Sequence, residues 1–318
     1  MTQNKKDCIM AFAMERKTPK IKFINLHAHT TNGSPFDAIG YPQEHIDYAY
    51  ENGMNAMAIT DHGNMNSFAY QVLHQKKMTS DGKIFKNIYG VEAYFVPSIK
   101  EWHILKNAKN EKDKEEDVGG AVVEDEEASK KAKNALNRRS HLVLLAQNQK
   151  GLNNLFWLIS NSFKPENFYK FPRIDYEMLR QHNEGIIALS ACLGGIYSTN
   201  YWDNLSDGPD KILSEMRKTT ENMQNIFGDR WFGELQWNSS PDQHAVNKYI
   251  LQIAKEYNLP LVCTADSHYP RPELWKDRIL YKKLNPKFIS REEKQLPESI
   301  DDVGYELYPK NGDQIDRK

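Results

Sequence analysis

The residues of this chain best suited to chemistry come in pairs two apart. His27-Ala28-His29 follows the apolar run Ile21 to Leu26, and in an extended segment residues i and i+2 face the same side, so both imidazoles can reach one metal ion. Taken alone, an H-x-H is weak evidence and also reads as a satisfied structural pair or a surface pair. The arrangement recurs near the other end, where Leu261 to Thr264 runs into Asp266-Ser267-His268, a carboxylate and an imidazole two apart. Further candidates stand where apolar runs finish: Asp61-His62 after Met57-Ala58-Ile59-Thr60, and Cys192 after Ile187-Ala188-Leu189-Ser190. Glu92 lies inside the run Ile88 to Val96, where a charge is costly unless paired or metal-bound. Asp61 reads either as a partner of a ligand imidazole or as a cap for the following helix. His141 precedes its run, and on pattern alone it is a surface histidine. His45, His74, His103, His182 and His244 fall in helical or loop contexts and read as structural or exposed.

Elements able to position these groups are legible as seven short apolar runs: Ile21 to Leu26, Ala56 to Thr60, Ile88 to Val96, Leu142 to Ala146, Ile186 to Ser190, Trp231 to Gln236 and Leu261 to Thr264. Helical segments lie between them. Pro42 to Asn52 is closed by Gly53, and Pro241 to Tyr257 places Val246, Ile250, Ile253 and Ala254 on one face. The alternation predicts parallel βαβ units in an α/β barrel or a doubly wound sheet. In such barrels the carboxyl ends of the strands form the reactive face, so ligands from five strands would converge there. Lys106 to Arg139 is dominated by Lys, Glu and Asp and reads as a flexible charged insertion, or over Glu124 to Leu136 as a solvated helix. Residues 1–20 read as an amino-terminal extension, 21–284 as the barrel, and the polar tail 285–318 as a linker.

Apolar residues make up 39% and charged residues 27% of the 318-residue chain, and the formal net charge of −1 gives no global attraction to nucleic acid. Any DNA contact must therefore come from a local patch. The three cysteines, Cys8, Cys192 and Cys263, are too few and scattered for a disulfide framework, which fits a reducing cytoplasm. No stretch approaches the roughly 20 apolar residues of a membrane span, and the polar start lacks a signal-peptide core.

The stretches NLHAHTTNGSPFDAIG, AMAITDHGNMNS, YGVEAYFVP, HLVLLAQNQKGLNNL, FPRIDYEMLRQHNEGIIALSACLGG and CTADSHYPRPE, over about residues 22 to 284, resemble in order and spacing the PHP motifs of bacterial DNA polymerase III alpha subunits. PRID and ALSACLGG point to that branch over histidinol-phosphate phosphatases, which share the scaffold. The resemblance implies a distorted (β/α)₇ TIM-like barrel and a three-metal site with ligands at His27, His29, Asp37, His62, Glu92, His141, Cys192, Asp266 and His268. Asp37 and His141 enter on the resemblance alone, and Asp37 follows His29 with one residue more than the usual family spacing. Imidazole, carboxylate and thiolate together suit Zn²⁺, Mn²⁺ or Fe²⁺ better than Mg²⁺. A cluster of such ions can activate water and neutralise charge on a scissile phosphate.

The resemblance thus implies a metal-dependent phosphodiesterase with 3′ to 5′ exonuclease character on DNA, with His62, Asp266 and His268 in catalytic roles. Arg173 and Arg271 are candidate phosphate contacts, readable equally as surface ion-pair residues. Gly304 to Gln314 resembles the lead-in to a polymerase palm, whose catalytic aspartates lie further downstream in relatives, so polymerisation is not expected of this chain alone. A split gene, as in some phage genomes, or a truncation fits that ending. Expected partners are a DNA 3′ end, a separately encoded polymerase core and other replisome subunits. The rival readings are a non-catalytic scaffold stabilising a polymerase and a phosphatase for small monoesters.

Overall fold

The computed structural model describes residues 16–107, 137–238, 240–284 and 306–316. Six expected strands form, with ends within two residues of the runs: β1 (Ala56–Ile59), β2 (Lys86–Phe95) and β3 (Ser140–Ala146). A small separate hairpin follows, β4 (Phe168–Tyr169) with β5 (Phe171–Pro172). Then come β6 (Ile186–Leu189), β7 (Trp231–Gln236) and β8 (Leu261–Thr264). The main sheet has the order β1-β2-β3-β6-β7-β8 and curls into an α/β barrel wall. Strands such as β1, buried at all four positions, read as continuous apolar runs because helices cover one face and the barrel interior the other.

Two expectations about the sheet are corrected. The run Ile21 to Leu26 forms no strand: Ile21 and Ile24 are exposed, and the pairing of this stretch with the sheet is by single bridges, Asn25 to Met57 and Ala28 to Ser267. Those bridges reach β1 on one side and the segment after β8 on the other, so this irregular stretch spans the two edges of the sheet. The Asn25 side chain does work a ladder would otherwise do, donating to Ser267 Oγ at 2.8 Å and accepting from the Ala265 amide at 3.1 Å. The sheet is also not uniformly parallel, since β3 runs antiparallel to both β2 and β6. Ser140 pairs with Phe95, so β3 begins beside the point where β2 finishes, and no crossover returns the chain to the other end.

The helices behave as their patterns predict. Pro42–Glu51 turns out of its last turn through Asn52 and Gly53, whose φ of 94° and close approach to Lys17 and Pro19 leave no room for a side chain. Pro241–Tyr257 buries Val246, Ile250, Ile253 and Ala254 and ends on Asn258 in the left-handed conformation. Inside the barrel Ala58, Val143, Leu145, Leu189 and Ala191 pack together, the valine and the two leucines each contributing on the order of 1.5–3 kcal/mol by leaving water.

Of the expected insertion, residues 108–136 lie outside the described residues, but both flanks are packed. The Lys106 ammonium lies over the Trp102 ring and the Arg139 guanidinium 3.5 Å from the centroid of Phe171. In the amino-terminal extension, residues 1–15 lie outside the described residues, while Arg16 donates to the carbonyls of Tyr50 and Met54. In the expected linker, 285–305 and 317–318 lie outside them, whereas 306–316 docks on the barrel: Leu307 and Tyr308 join Tyr48, Tyr269 and Trp275, and Asn311 donates to the Asn52 carbonyl. Among the described residues no helix is long and apolar enough to cross a membrane.

Candidate metal centre

At the end of the barrel where the parallel strands finish, all nine proposed ligands meet, drawn from separate parts of the chain. Glu92 is at their centre. Its Oε1 lies 3.2 Å from His27 Nε2, 3.0 Å from His141 Nδ1 and 3.4 Å from Cys192 Sγ. Its Oε2 lies 2.6 Å from His62 Nδ1 and 3.6 Å from His29 Nε2. Asp266 Oδ1 lies 3.4 and 3.2 Å from His27 and His29, and Asp37 Oδ2 lies 3.1 and 3.4 Å from His62 and His268. Three overlapping groups offer one donor atom each within 4.8 Å: His29 with His62 and His268, His27 with His29 and Asp266, and His62 with Glu92 and His141.

The antiparallel course of β3 explains His141. A residue that starts an antiparallel strand sits at the same end as residues that finish parallel ones, and His141 pairs across from Tyr94, two residues beyond Glu92. Glycine makes the adjoining wall. The Gly194 amide points to Cys192 Sγ at 3.3 Å, and a Cβ on Gly195 would come 2.1 Å from the Ser190 carbonyl. Backbone strain gathers here as well: Ala191, just before Cys192, Asp266 itself and Phe36, just before Asp37, all hold positive φ without being glycine.

The donor atoms suit cations. Among the described residues His62 Nδ1, Glu92 Oε2 and Asp266 Oδ1 are buried without a hydrogen bond, although each has another donor or acceptor atom nearby. Buried polar atoms packed this closely fit donors that would share a cation. The electrostatics agree. Burial would lower the His27 imidazole, but Asp266, Glu234 and Glu92 hold it well above its ordinary value. His29, as deeply buried and beside His62 and His268, is held well below. Burial would raise Glu92 and Asp266, yet surrounding imidazoles hold both carboxyls well down, His141 foremost for Glu92 and His27 for Asp266. Burial beside Glu92 and Asp266 pushes the Cys192 thiol up, an order that a coordinated cation reverses.

Several supporting residues escaped the sequence reading. Glu234 accepts from His27 Nδ1 at 2.7 Å and from the Thr264 hydroxyl at 2.6 Å, fixing which ring nitrogen faces the centre. Its signal was available, since Glu234 sits inside the apolar run of β7 as Glu92 does in β2. Arg278 and Lys282 each lie 3.0 Å from Asp37 Oδ1, and nothing in their helical context announces that. Asp61 backs a ligand imidazole at one remove: Thr30, Ser34 and Ser67 donate to its carboxylate, and Ser34 Oγ in turn lies 3.3 Å from His29 Nδ1. The phosphate role expected of Arg173 is corrected, because that side chain is fully buried and donates to the carbonyls of Tyr169 and Phe171. Arg271 is held by Glu51 at 2.8 Å and lies over the Tyr48 ring. His45 is buried against the Ile39 carbonyl, and His74 pairs with Asp47.

Above the cluster opens a groove of about 540 Å³, with Asp37, His62 and His141 in its lining and Phe36, Lys170 and Phe171 among its other walls. Residues 25–238 match the sequence profile of the PHP domain. The chain is 32% identical over 252 residues to the DNA polymerase III subunit alpha of Aquifex aeolicus, covering 79% of this chain and 18% of that protein. It is 34% identical over 260 residues to the DNA polymerase III subunit alpha of Thermus aquaticus, covering 80% and 18%. The chain thus spans about a fifth of the length of these relatives. Among solved structures, a metal-dependent phosphoesterase from Bifidobacterium adolescentis aligns with a TM-score of 0.43 at 12% identity, over 80% of this chain and 91% of that one. With its profile match covering most of the barrel, this chain belongs to the PHP domain family.

Proposed function

We propose that this chain is a metal-dependent phosphoesterase acting as a 3′ to 5′ exonuclease on DNA. The observation that carries the reading is the convergence of nine imidazole, carboxylate and thiol donors, five of them around the carboxylate of Glu92, at the foot of an open groove. His27, His29, Asp37, His62, Glu92, His141, Cys192, Asp266 and His268 would hold the ions, three in number for a set this large, with Zn²⁺, Mn²⁺ or Fe²⁺ suited to it. Bound there, the ions would supply activated water and charge neutralisation at a phosphodiester. The protein's own part is positional. Glu234 keeps His27 in one tautomer, Ser34 and Asp61 brace His29, and Arg278 with Lys282 hold Asp37 at the groove floor.

His62 and His268 flank Asp37 at the groove side of the cluster, and with Asp266 they are the ligands assigned to the reaction itself. Similarity to polymerase III alpha subunits supports a replication setting in the cytoplasm, with a DNA 3′ end as substrate and a polymerase core and other replisome subunits as partners. The test is release of nucleotides from a 5′-labelled single strand with Mn²⁺ or Zn²⁺. Wild type is expected to shorten the strand from its 3′ end, chelator to stop it, and His62→Ala and Asp266→Asn each to remove it while remaining folded. Cleavage surviving both substitutions would place the activity elsewhere.

A further inference from the structure

The groove above the cluster is walled by aromatic rings arranged in pairs. Phe36 stacks on Tyr281 with centroids 5.6 Å apart and planes 14° from parallel, and Phe163 stacks on Phe168 at 5.9 Å and 25°. Phe36 and Phe163 are 41% and 48% exposed, a high fraction for rings of this size that line a polar site. Phe36 is held out by its backbone. Its φ is 62°, a conformation an aromatic residue adopts only where its surroundings enforce it, and the next residue is Asp37. Lys170, at the tip of the β4–β5 hairpin, shares that conformation with φ 59° and lies on the groove wall. Arg139 lies over Phe171, adding a second cation to the same wall.

We infer that these rings are a stacking platform for the bases of an unpaired strand, with Phe36 as its main contact next to the reacting end. Part-exposed aromatic rings beside cations are what single-stranded nucleic acid recognises: bases stack without regard to sequence while the backbone follows the positive groups. A duplex presents its base faces to one another and cannot use the rings, so the platform selects frayed or mispaired ends. This deepens the exonuclease reading and rests on it. The chain's formal net charge of −1 makes the local arrangement decisive, since the surface as a whole offers DNA no attraction.

The test compares Phe36→Leu, which keeps an apolar side chain and the same backbone demand but has no π-face, with Phe36→Tyr, which restores one. Binding of a fluorescent oligothymidylate is measured by anisotropy in EDTA, independent of any turnover. Cleavage of the oligonucleotide and of bis(p-nitrophenyl) phosphate is measured separately with Mn²⁺. Phe36→Leu is expected to weaken oligonucleotide binding roughly tenfold, within the range of one lost stacking contact, with Phe36→Tyr close to wild type. The ratio of kcat/KM for oligonucleotide to that for the small diester should fall by a similar factor. Unchanged binding by Phe36→Leu, or an equal loss on both substrates, would overturn the platform. Absence of cleavage by wild type with the binding difference intact would sink the exonuclease reading and leave the platform standing.

Discussion

The two ends of this barrel hold cavities of nearly the same size and opposite character. At the end where the parallel strands finish, about 540 Å³ opens over a cluster of imidazoles and carboxylates. At the end where they begin, about 550 Å³ is lined mainly by apolar side chains, among them Leu26, Ile88, Leu145, Ile187 and Phe232. Volume therefore says nothing about which end reacts. The difference lies in what each strand carries past its last ladder residue: His62 after β1, Cys192 after β6, Asp266 after β8, and His141 at the start of the reversed β3. The lower end supplies packing that keeps those ends in place, and the upper end uses buried charge that only cations or counter-charges make tolerable.

The sharpest break of this comparison is Glu92→Gln. Removing the central charge is expected to abolish turnover and strip the centre of most of its metal, and a variant that kept both would show that Glu92 is only a structural neighbour of the histidines. A change at the other end should do the reverse. Leu145→Ala is expected to cost about 2–4 kcal/mol in denaturant unfolding while turnover per folded molecule stays at the wild-type level. A loss of activity without a loss of stability would mean the ends are coupled more tightly than packing requires.

Between these lies Glu234→Gln, which retains the shape of the side chain that orients His27. Metal affinity, read by competition with a chelator, is expected to fall by about 10–100-fold. The smallest effect concerns His45, which is not among the proposed ligands but lies within electrostatic reach of His268. Burial brings its imidazole down to about 4 from the usual 6.5, against a hydrogen bond to the Ile39 carbonyl. The unfolded chain therefore takes up the proton first, and stability fully present above about pH 6.5 declines as pH falls towards 4. Between pH 7 and 5.5 the wild type should lose about 1 kcal/mol more than His45→Gln, from urea midpoints. Parallel slopes for the two proteins would remove His45 from the account.

Much of the site was legible because strand ends carry it. A paired spacing such as His27 with His29 or Asp266 with His268, placed after an apolar run, leaves few geometric alternatives once a barrel is assumed. What was hidden has physical reasons. His141 looked misplaced because strand direction is not written in an apolar run, and only the antiparallel pairing of β3 brings it to the ligand end. The stretch before His27 looked like a strand from its composition, yet Asn25 replaces ladder bonds with side-chain bonds that periodicity does not show. Arg278 and Lys282 reach Asp37 from a helix far away in sequence, and residues 306–316 dock on the barrel despite a polar composition. Arg173 shows the converse error: a cation in a suggestive motif is fully buried and occupied in holding a hairpin.

The proposed chemistry requires the upper end to be a centre for several ions rather than an array of paired side chains. Elemental analysis of the purified wild-type protein tests this most directly, with Zn, Mn and Fe counted per chain after removal of loosely bound metal. Close to three ions per chain is the predicted result. One ion or none, in protein that is folded and has been offered all three metals, would contradict it.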